Sequence, residues 1–347
     1  MATYTELVEN FLHKMAPVTT SDKAQFEAVV AAVFGTKQRR FGPMPDPEVQ
    51  VAIRQIINTG SSLVPYGDNH IHFFIPWGSR KLGNESPLDT MEFMALQQLY
   101  CLQQELVQLG VSSHFTFRLE DTTDLWLFGS GEVYDPANAS TKRQSVEYMA
   151  NFRALANKIL KGPNVTAITE SQLVTEAEFI AHASKVAPVF YKFLRGESTL
   201  DTLREIGWKG KMPQEQLEYY RNSVYGAYWP GQGRDSNWEM SKYFSATLSR
   251  VQLGATAVPA EKHIAIAFNH PVPGSPTGGS RVYYRSIPQR FTNLHRAPWN
   301  SKGYVEIHED NSVVPKSAGP NEVVEGLMSN SLTLDCGTVI QADYVLR

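Results

Sequence analysis

One stretch limits what this chain can fold into more than any other: "HIHFFIPWGSRKLGNESPLDTMEFMALQQLYCLQQELVQLG", residues 70 to 110. Leu88, Met91, Ala95, Leu99, Leu102, Leu106 and Leu109 recur at intervals of three and four, which lines them along one face of a helix. Ser86 is placed as its N-cap, Pro87 at its first helical position, Asp89 where a capping-box acid sits, and Gly110 just beyond its end. The preceding "HIHFFIP" is too short for a helix, rich in aromatic and branched residues, and stopped by proline, so it reads as a buried strand.

The same alternation continues through residues 50 to 170. "VQVAIRQIINTG" reads as a short helix, "SHFTFRL" and "DLWLFG" as strands, "TKRQSVEYMANFRALANKIL" as a helix and "NVTAITES" as a strand. Strands and helices in turn predict an α/β fold, a Rossmann-like and largely parallel sheet flanked by helices. Residues 171 to 250 are mostly helical, broken by "YWPGQGRDSN". The remainder, with "KHIAIAFNHP", "RVYYRSIP", "GYVEIHE" and "TVIQADYVLR", is strand-rich. Residues 4 to 35 have helical periodicity, and the breaker "FGPMPDPE" follows them. The expected organisation is a helical N-terminal extension over 1–40 and an α/β catalytic unit over 41–347, a subdivision near 200–235 being left open.

Charge narrows the partners. With 32 Lys plus Arg against 35 Asp plus Glu, the net charge of −3 offers no broad basic field for a phosphate backbone, so nucleic acid is not expected as a partner. Two cysteines, Cys101 and Cys336, make no disulfide framework and suit a reducing compartment. No apolar run reaches the roughly 18 to 20 residues that cross a bilayer, and the N-terminus has no signal-peptide h-region. A cytoplasmic protein without a membrane partner is the expectation; the sequons at Asn138 and Asn164 would then carry no sugar.

In an open α/β sheet, ligands bind beyond the carboxyl ends of the strands, which is where Ser79, Arg80 and Lys81 fall. Two cations beside a helix start suit a phosphate or carboxylate; a solvated loop neutralised by Asp89 and Glu92 is the plainer alternative. Asp89 and Glu92 share a helix face, either as a proton-transfer pair or as partners of the helix dipole. His70 and His72 alternate on a strand without a third ligand at useful spacing, so no metal is expected. "WPGQGRDSNWE" offers Arg234 and "PGSPTGGSR" offers Arg281 to an anion, against plain loop readings of both.

These residues carry a resemblance. Pro76 and Lys81 keep the separation of a Pro-x-x-Pro-x-Lys element, and "DTMEFMAL" supplies Asp89, Glu92, Ala95 and Leu96 in register with Pro-Asp-x-x-Glu-x-x-Ala-Leu. Together they resemble the signature of the isocyanide (isonitrile) synthase family, which includes enzymes of pyoverdine-type and dityrosine biosynthesis. "LEDTTDLWLFGSGEVYD" is similar to the family's acidic strand and loop, with Glu120 and Asp121 as the acidic step. "KHIAIAFNHP" keeps His270-Pro271 of a later strand without its arginine, and "HRAPWNSKGYVEI" keeps Pro298 and Trp299 with Asn300 in place of a histidine. Ser79 replaces the second proline, and Leu88 the proline before the aspartate.

The resemblance implies a secondary-metabolism enzyme, a transferase or lyase in type, that condenses an amino acid or related amine with a phosphorylated ketose, ribulose 5-phosphate, to leave an isonitrile; the alternatives are another condensation or lyase step on a different amine in the same phosphosugar pocket, and a non-catalytic family member that binds a phosphosugar. It implies no metal and no redox cofactor. Lys81, Glu92, Asp121 and His295 are then the catalytic candidates. Ser79, Arg80, Asp89, Trp299, Asn300, His270, Arg234 and Arg281 are the substrate-binding candidates. Asn300 can hydrogen-bond but cannot exchange a proton, so His295, five residues earlier, would have to act as the acid or base, or the reaction would differ.

Overall fold

Strand β1 (His70–Trp77) occupies the middle of the main sheet of the protein, as seen in a computed structural model. β2 (Ser112–Leu119) and then β3 (Val165–Thr169) lie on one side of it, β4 (His263–Ala267) and then β5 (Arg281–Tyr283) on the other, and every pairing is parallel. The structure describes residues 70–81, 88–128, 136–161, 164–210, 212, 217–218, 235–256, 263–268, 281–284, 297–319, 322–334 and 337–347. The helices expected over 4–35 and 50–60 lie outside these residues.

The order β3-β2-β1-β4-β5 builds outward from β1 in both directions, so the sheet reverses its winding between β1 and β4. A crevice opens at such a point, beyond the carboxyl ends of the two strands. Both faces of the sheet are covered, which is why its central strands read as nearly continuous apolar runs. Across β1 and β2 the register pairs Phe73 with Phe115 and Ile75 with Phe117. The rings of Phe73 and Phe115 stack with centroids 5.1 Å apart.

Helix α1 (Thr90–Gln108) buries Met91, Ala95, Leu99, Leu102 and Leu106, as their spacing predicts. It buries more than one stripe: Phe93, Met94, Leu96 and Gln98 are also covered, because the sheet packs on one side of α1 and the C-terminal strands on another. Its start corrects the sequence reading. Asp89 is itself the N-cap, its side chain accepting from the Met91 amide, and Glu92 rather than Asp89 is the capping-box acid. Ser86 and Pro87 lie outside the described residues.

A second correction concerns "DLWLFG". These residues belong to helix α2 (Asp121–Phe128), not a strand. β2 has ended at Leu119, the Glu120 amide donates to the Trp77 carbonyl, and the Asp124 amide donates back to the Glu120 carbonyl to start the helical turn. Two aspartates in that turn favour it through the helix dipole. Trp126 and Leu127 then face Phe179, Ala183 and Ala246 of the neighbouring helices, so the short apolar run is helix core.

Helix α3 (Pro136–Ile159) covers the sheet beside α1. The chain continues through α4 (Glu176–Leu194), α5 (Leu200–Glu205) and α6 (Ser236–Gln252), whose shared core centres on Phe190, Leu203, Trp208 and Phe244. The C-terminal part is strand-rich, as expected. β6 (Lys302–Ile307) pairs antiparallel with β7 (Val313–Ala318) and parallel with β10 (Asp343–Leu346), while β8 (Ser331–Thr333) and β9 (Val339–Gln341) form a small antiparallel pair. Val305, Ile307, Leu332 and Ile340 join the same core as β1 and α1. The Gln341 amide donates to the Leu88 carbonyl, fastening this part to the start of α1.

Candidate active site at the carboxyl end of the central strand

β1 ends in a cage of aromatic rings. Trp77 meets Phe152 at 4.7 Å, Trp299 at 5.1 Å and Phe117 at 5.6 Å between centroids, and its indole N–H donates to the Tyr148 hydroxyl at 2.9 Å. Gly78 follows because a Cβ there would sit 2.4 Å from the Trp299 ring. Only a residue without a side chain lets the backbone pass under that indole.

The next residues are then held by charge. The Ser79 amide and hydroxyl both donate to Asp124 Oδ2, at 2.9 and 2.7 Å, and the Ser145 hydroxyl donates to Ser79 Oγ at 2.9 Å. Lys81 Nζ reaches both Glu92 oxygens at 2.9 and 2.8 Å, Asp89 Oδ1 at 2.9 Å and the Pro298 carbonyl at 2.6 Å. Its side chain is 1% exposed, so the ammonium is a buried charge with a protein acceptor for each of its three protons. Asp89 also accepts from the Gly303 amide at 2.7 Å, so one carboxylate caps α1, pairs with Lys81 and positions the start of β6.

Two acids beside one ammonium leave an excess negative charge out of water. Burial is the main reason that Glu92 is pushed up to about 8; neighbouring Lys81 opposes the rise and Asp89 adds to it. Burial thus favours the protonated form of Glu92, and the Lys81 ammonium, which donates to both of its oxygens, favours the ionised one. The Tyr148 hydroxyl donates to Glu92 Oε1 at 3.2 Å, and burial, with Glu92 beside it, drives the phenol well above its ordinary range. Burial also raises Asp124 to about 7, against the Ser79 hydrogen bonds that favour its ionised form. Arg80 packs its guanidinium 4.3 Å above the Phe128 ring; burial lowers its pKa, and Asp124 opposes that.

A second polar network lies at the ends of β2 and β3. Arg118 pairs with Glu120, and Arg250 contacts Glu170 Oε1 at 2.6 Å, Glu120 Oε2 at 3.2 Å and Thr123 Oγ1 at 2.8 Å. Glu170 is fully buried and accepts from the Thr122 hydroxyl and the Thr123 amide, which anchors the first turn of α2. Burial works against the Arg250 charge, and Glu120 and Glu170 override it, so its pKa is raised.

Between α2, α3 and the end of β3 lies a cleft of about 370 Å³. Asp121, Ser145, Met149, Arg153 and Ser171 contribute to its wall. Asp121 accepts from the Ser171 amide at 3.1 Å and from the Ser171 hydroxyl. Ser145 connects this cleft with Ser79, while Tyr148, on the same helix, contacts Glu92.

The structure brings Lys81, Asp89 and Glu92 together and sets Ser79 and Arg80 beside Asp124. It places Asp121 apart from them, in the cleft. Trp299 is packed into the core over Gly78, and Asn300 ends a 3-10 turn, Pro298–Asn300. Arg281 opens β5, with only its backbone described; Arg234, His270 and His295 lie outside the described residues. Sequence reasoning missed Asp124, Ser145, Tyr148 and the Pro298 carbonyl. Asp124 alone had a local signal: it falls three residues after Asp121, on the same face once the segment is helical. His72 bonds Thr116 through Nε2 at 2.8 Å, and among the described residues no group of three His, Cys, Asp or Glu is placed to hold a metal ion. Among the same residues no helix is long and apolar enough to cross a membrane.

No protein-family profile matches the chain, and no curated protein sequence does so significantly. Solved structures do match. The chain is similar to the crystal structure of the PvcA protein from Pseudomonas aeruginosa, with a TM-score of 0.54 and 15% identity over 93% of this chain and all of that one (100%). Fainter similarities run to a cyclo(L-leucyl-L-phenylalanyl) synthase, TM-score 0.36 and 14% identity over 71% and 96% of the two chains, and to AlbC, a cyclodipeptide synthase from Streptomyces noursei, TM-score 0.32 and 12% identity over 63% and 97%. At these identities the PvcA likeness establishes a shared fold, and the two fainter ones carry no argument.

Proposed function

We propose that the protein is a biosynthetic enzyme that forms a carbon–nitrogen bond, of the isocyanide-synthase type, condensing an amino acid or related amine with ribulose 5-phosphate and leaving an isonitrile. The observation that carries this reading is the buried contact of Lys81 with Glu92 and Asp89 at the carboxyl end of β1, the residues on which the sequence resemblance rests. The PvcA fold, shared along 93% of the chain, supports it at the level of architecture.

Such a condensation begins when the ammonium gives up a proton and its nitrogen attacks the ketone carbon. The resulting carbinolamine leaves as an imine by losing its hydroxyl as water, which needs a proton donor. A buried carboxyl whose proton affinity is raised is suited to that task. Lys81, with its protons committed to protein acceptors, orients Glu92 and sets its proton affinity. Asp124, at about 7, is a second proton carrier joined to the loop through Ser79. Arg80 supplies positive charge beside the crevice, and Asp121 is assigned to the amine. In this reading the partners are free small molecules, handled in the cytoplasm without metal or redox cofactor. The roles expected of Trp299, Asn300, His270, His295, Arg234 and Arg281 rest on the resemblance. Asn300 in place of a histidine favours one variant, the same pocket used for another condensation or lyase step on a different amine.

The test is incubation with ribulose 5-phosphate and a panel of L-amino acids, with mass spectrometry for a product that has gained one carbon and lost two hydrogens. Glu92→Gln should abolish it while the protein still binds the amine. If folded protein yields no such product from any member of the panel, the isonitrile reading is wrong. Another sugar–amine adduct would establish the variant.

A further inference from the structure

We propose that the cleft between α2, α3 and the end of β3 binds a small zwitterion, an α-amino acid with an apolar side chain, whose carboxylate is taken by Arg153 and whose ammonium is taken by Asp121. This deepens the functional reading above, since it places the amine substrate, and it rests on that reading for its role in catalysis.

The charges of the cleft select the ligand. Four acidic or basic side chains line it: Asp121, Lys142, Arg153 and Glu176. Lys142 and Glu176 satisfy one another across the cleft at 2.8 Å. That leaves one cation and one anion for a ligand. Arg153 has no acidic partner among the described residues. Asp121 is held in a fixed orientation by the Ser171 amide and hydroxyl, which engage only part of its acceptor capacity. A guanidinium grips a carboxylate in a bidentate fork, and a fixed carboxylate accepts from an ammonium. Leu125 and Met149 give the cleft an apolar wall for a side chain, and about 370 Å³ lies at the small end of ligand-pocket sizes.

Its position joins the cleft to the buried acids. Ser145 lines it and donates to Ser79 on the Lys81 loop, and Tyr148, one turn further along α3, touches Glu92. The helix that forms the wall of the cleft is therefore also the wall of the acid cluster.

The experiment is calorimetric titration of the full chain, without sugar phosphate, with L-phenylalanine, L-leucine, L-methionine, phenylalaninamide, 3-phenylpropionate and inorganic phosphate. At least one amino acid should bind, and loss of either charged group, as in the amide or the deaminated acid, should weaken binding about tenfold or more. Arg153→Gln should weaken the amino acid and 3-phenylpropionate and leave phenylalaninamide unchanged; Asp121→Asn should weaken the amino acid and phenylalaninamide and leave 3-phenylpropionate unchanged. Both side chains are partly exposed, and thermal melts check that the variants stay folded. Should one variant unfold, the ligand analogues on the unaltered protein and the other variant still decide. Binding indifferent to both substitutions, binding of phosphate alone, or no binding of any of the three amino acids overturns the proposal. If the amino acids bind as described and no isonitrile forms, the functional reading fails and the site stands. If isonitrile forms and the KM for the amino acid ignores both substitutions, the site fails and the function stands.

Discussion

Asp124→Asn separates charge from shape at the heart of the candidate site. Asp124 Oδ2 accepts the Ser79 amide at 2.9 Å and the Ser79 hydroxyl at 2.7 Å, and the amide oxygen of asparagine can accept both. What disappears is titration. Burial raises Asp124 from an ordinary 3.8 to about 7, so the folded state holds a proton that the unfolded chain releases between those values. Stability associated with this group is complete below about pH 4 and is lost as pH rises through about 7. At about 1.4 kcal/mol per pH unit, the elevation corresponds to roughly 4 kcal/mol, an upper figure because water and nearby Arg80 relax around the charge. Urea unfolding of both proteins from pH 4 to pH 8 should show the asparagine variant gaining on the parent by up to that amount. Glu92 titrates in both proteins and cancels from the difference. A difference that stays flat with pH, or one that grows toward acid, would refute the claim that Asp124 is a buried acid with a raised pKa.

Other perturbations test the neighbouring contacts. Gly78→Ala places a Cβ 2.4 Å from a Trp299 ring that is itself wedged against Trp77, and should cost about 1–3 kcal/mol in a thermal or urea melt; an unchanged melting temperature would mean that the indole is free to move. Lys81→Met should destabilise by roughly 3–5 kcal/mol because it leaves the buried Glu92 and Asp89 carboxyls without their cation, and adding Glu92→Met should recover part of it; a double variant no better than the single one would show that Lys81 and Glu92 are not coupled. Tyr148→Phe leaves the Trp77 indole N–H without its acceptor and removes a donor from Glu92, a loss of about 1–3 kcal/mol by urea titration.

The legibility of this chain was uneven for physical reasons. The spacing of Met91, Ala95, Leu99 and Leu102 announced α1, because a helix face is written in near neighbours. The apolar run of β1 announced a buried central strand for the same reason. "DLWLFG" misled because four to eight apolar residues fit a buried strand and one helix face equally well, and only the neighbours of Trp126 decide between them. The cap was displaced by one helical turn. Asp89 and Ser86 are both competent caps, and what selects Asp89 includes its bonds to Lys81 and Gly303, the second of them far off in the chain.

By itself, then, the sequence determined the parts: a parallel α/β core, a helix opening with two acids, and a loop carrying Ser79, Arg80 and Lys81 to the mouth of the sheet. Only the tertiary structure decided that Ser79 meets Asp124 and that Tyr148 and the Pro298 carbonyl close around Glu92 and Lys81. Helix and strand periods are local and can be read in one dimension. Which carboxyl is taken out of water, and so has its proton affinity raised, depends on strand order and on groups brought from more than two hundred residues away, as the Pro298 carbonyl is to Lys81.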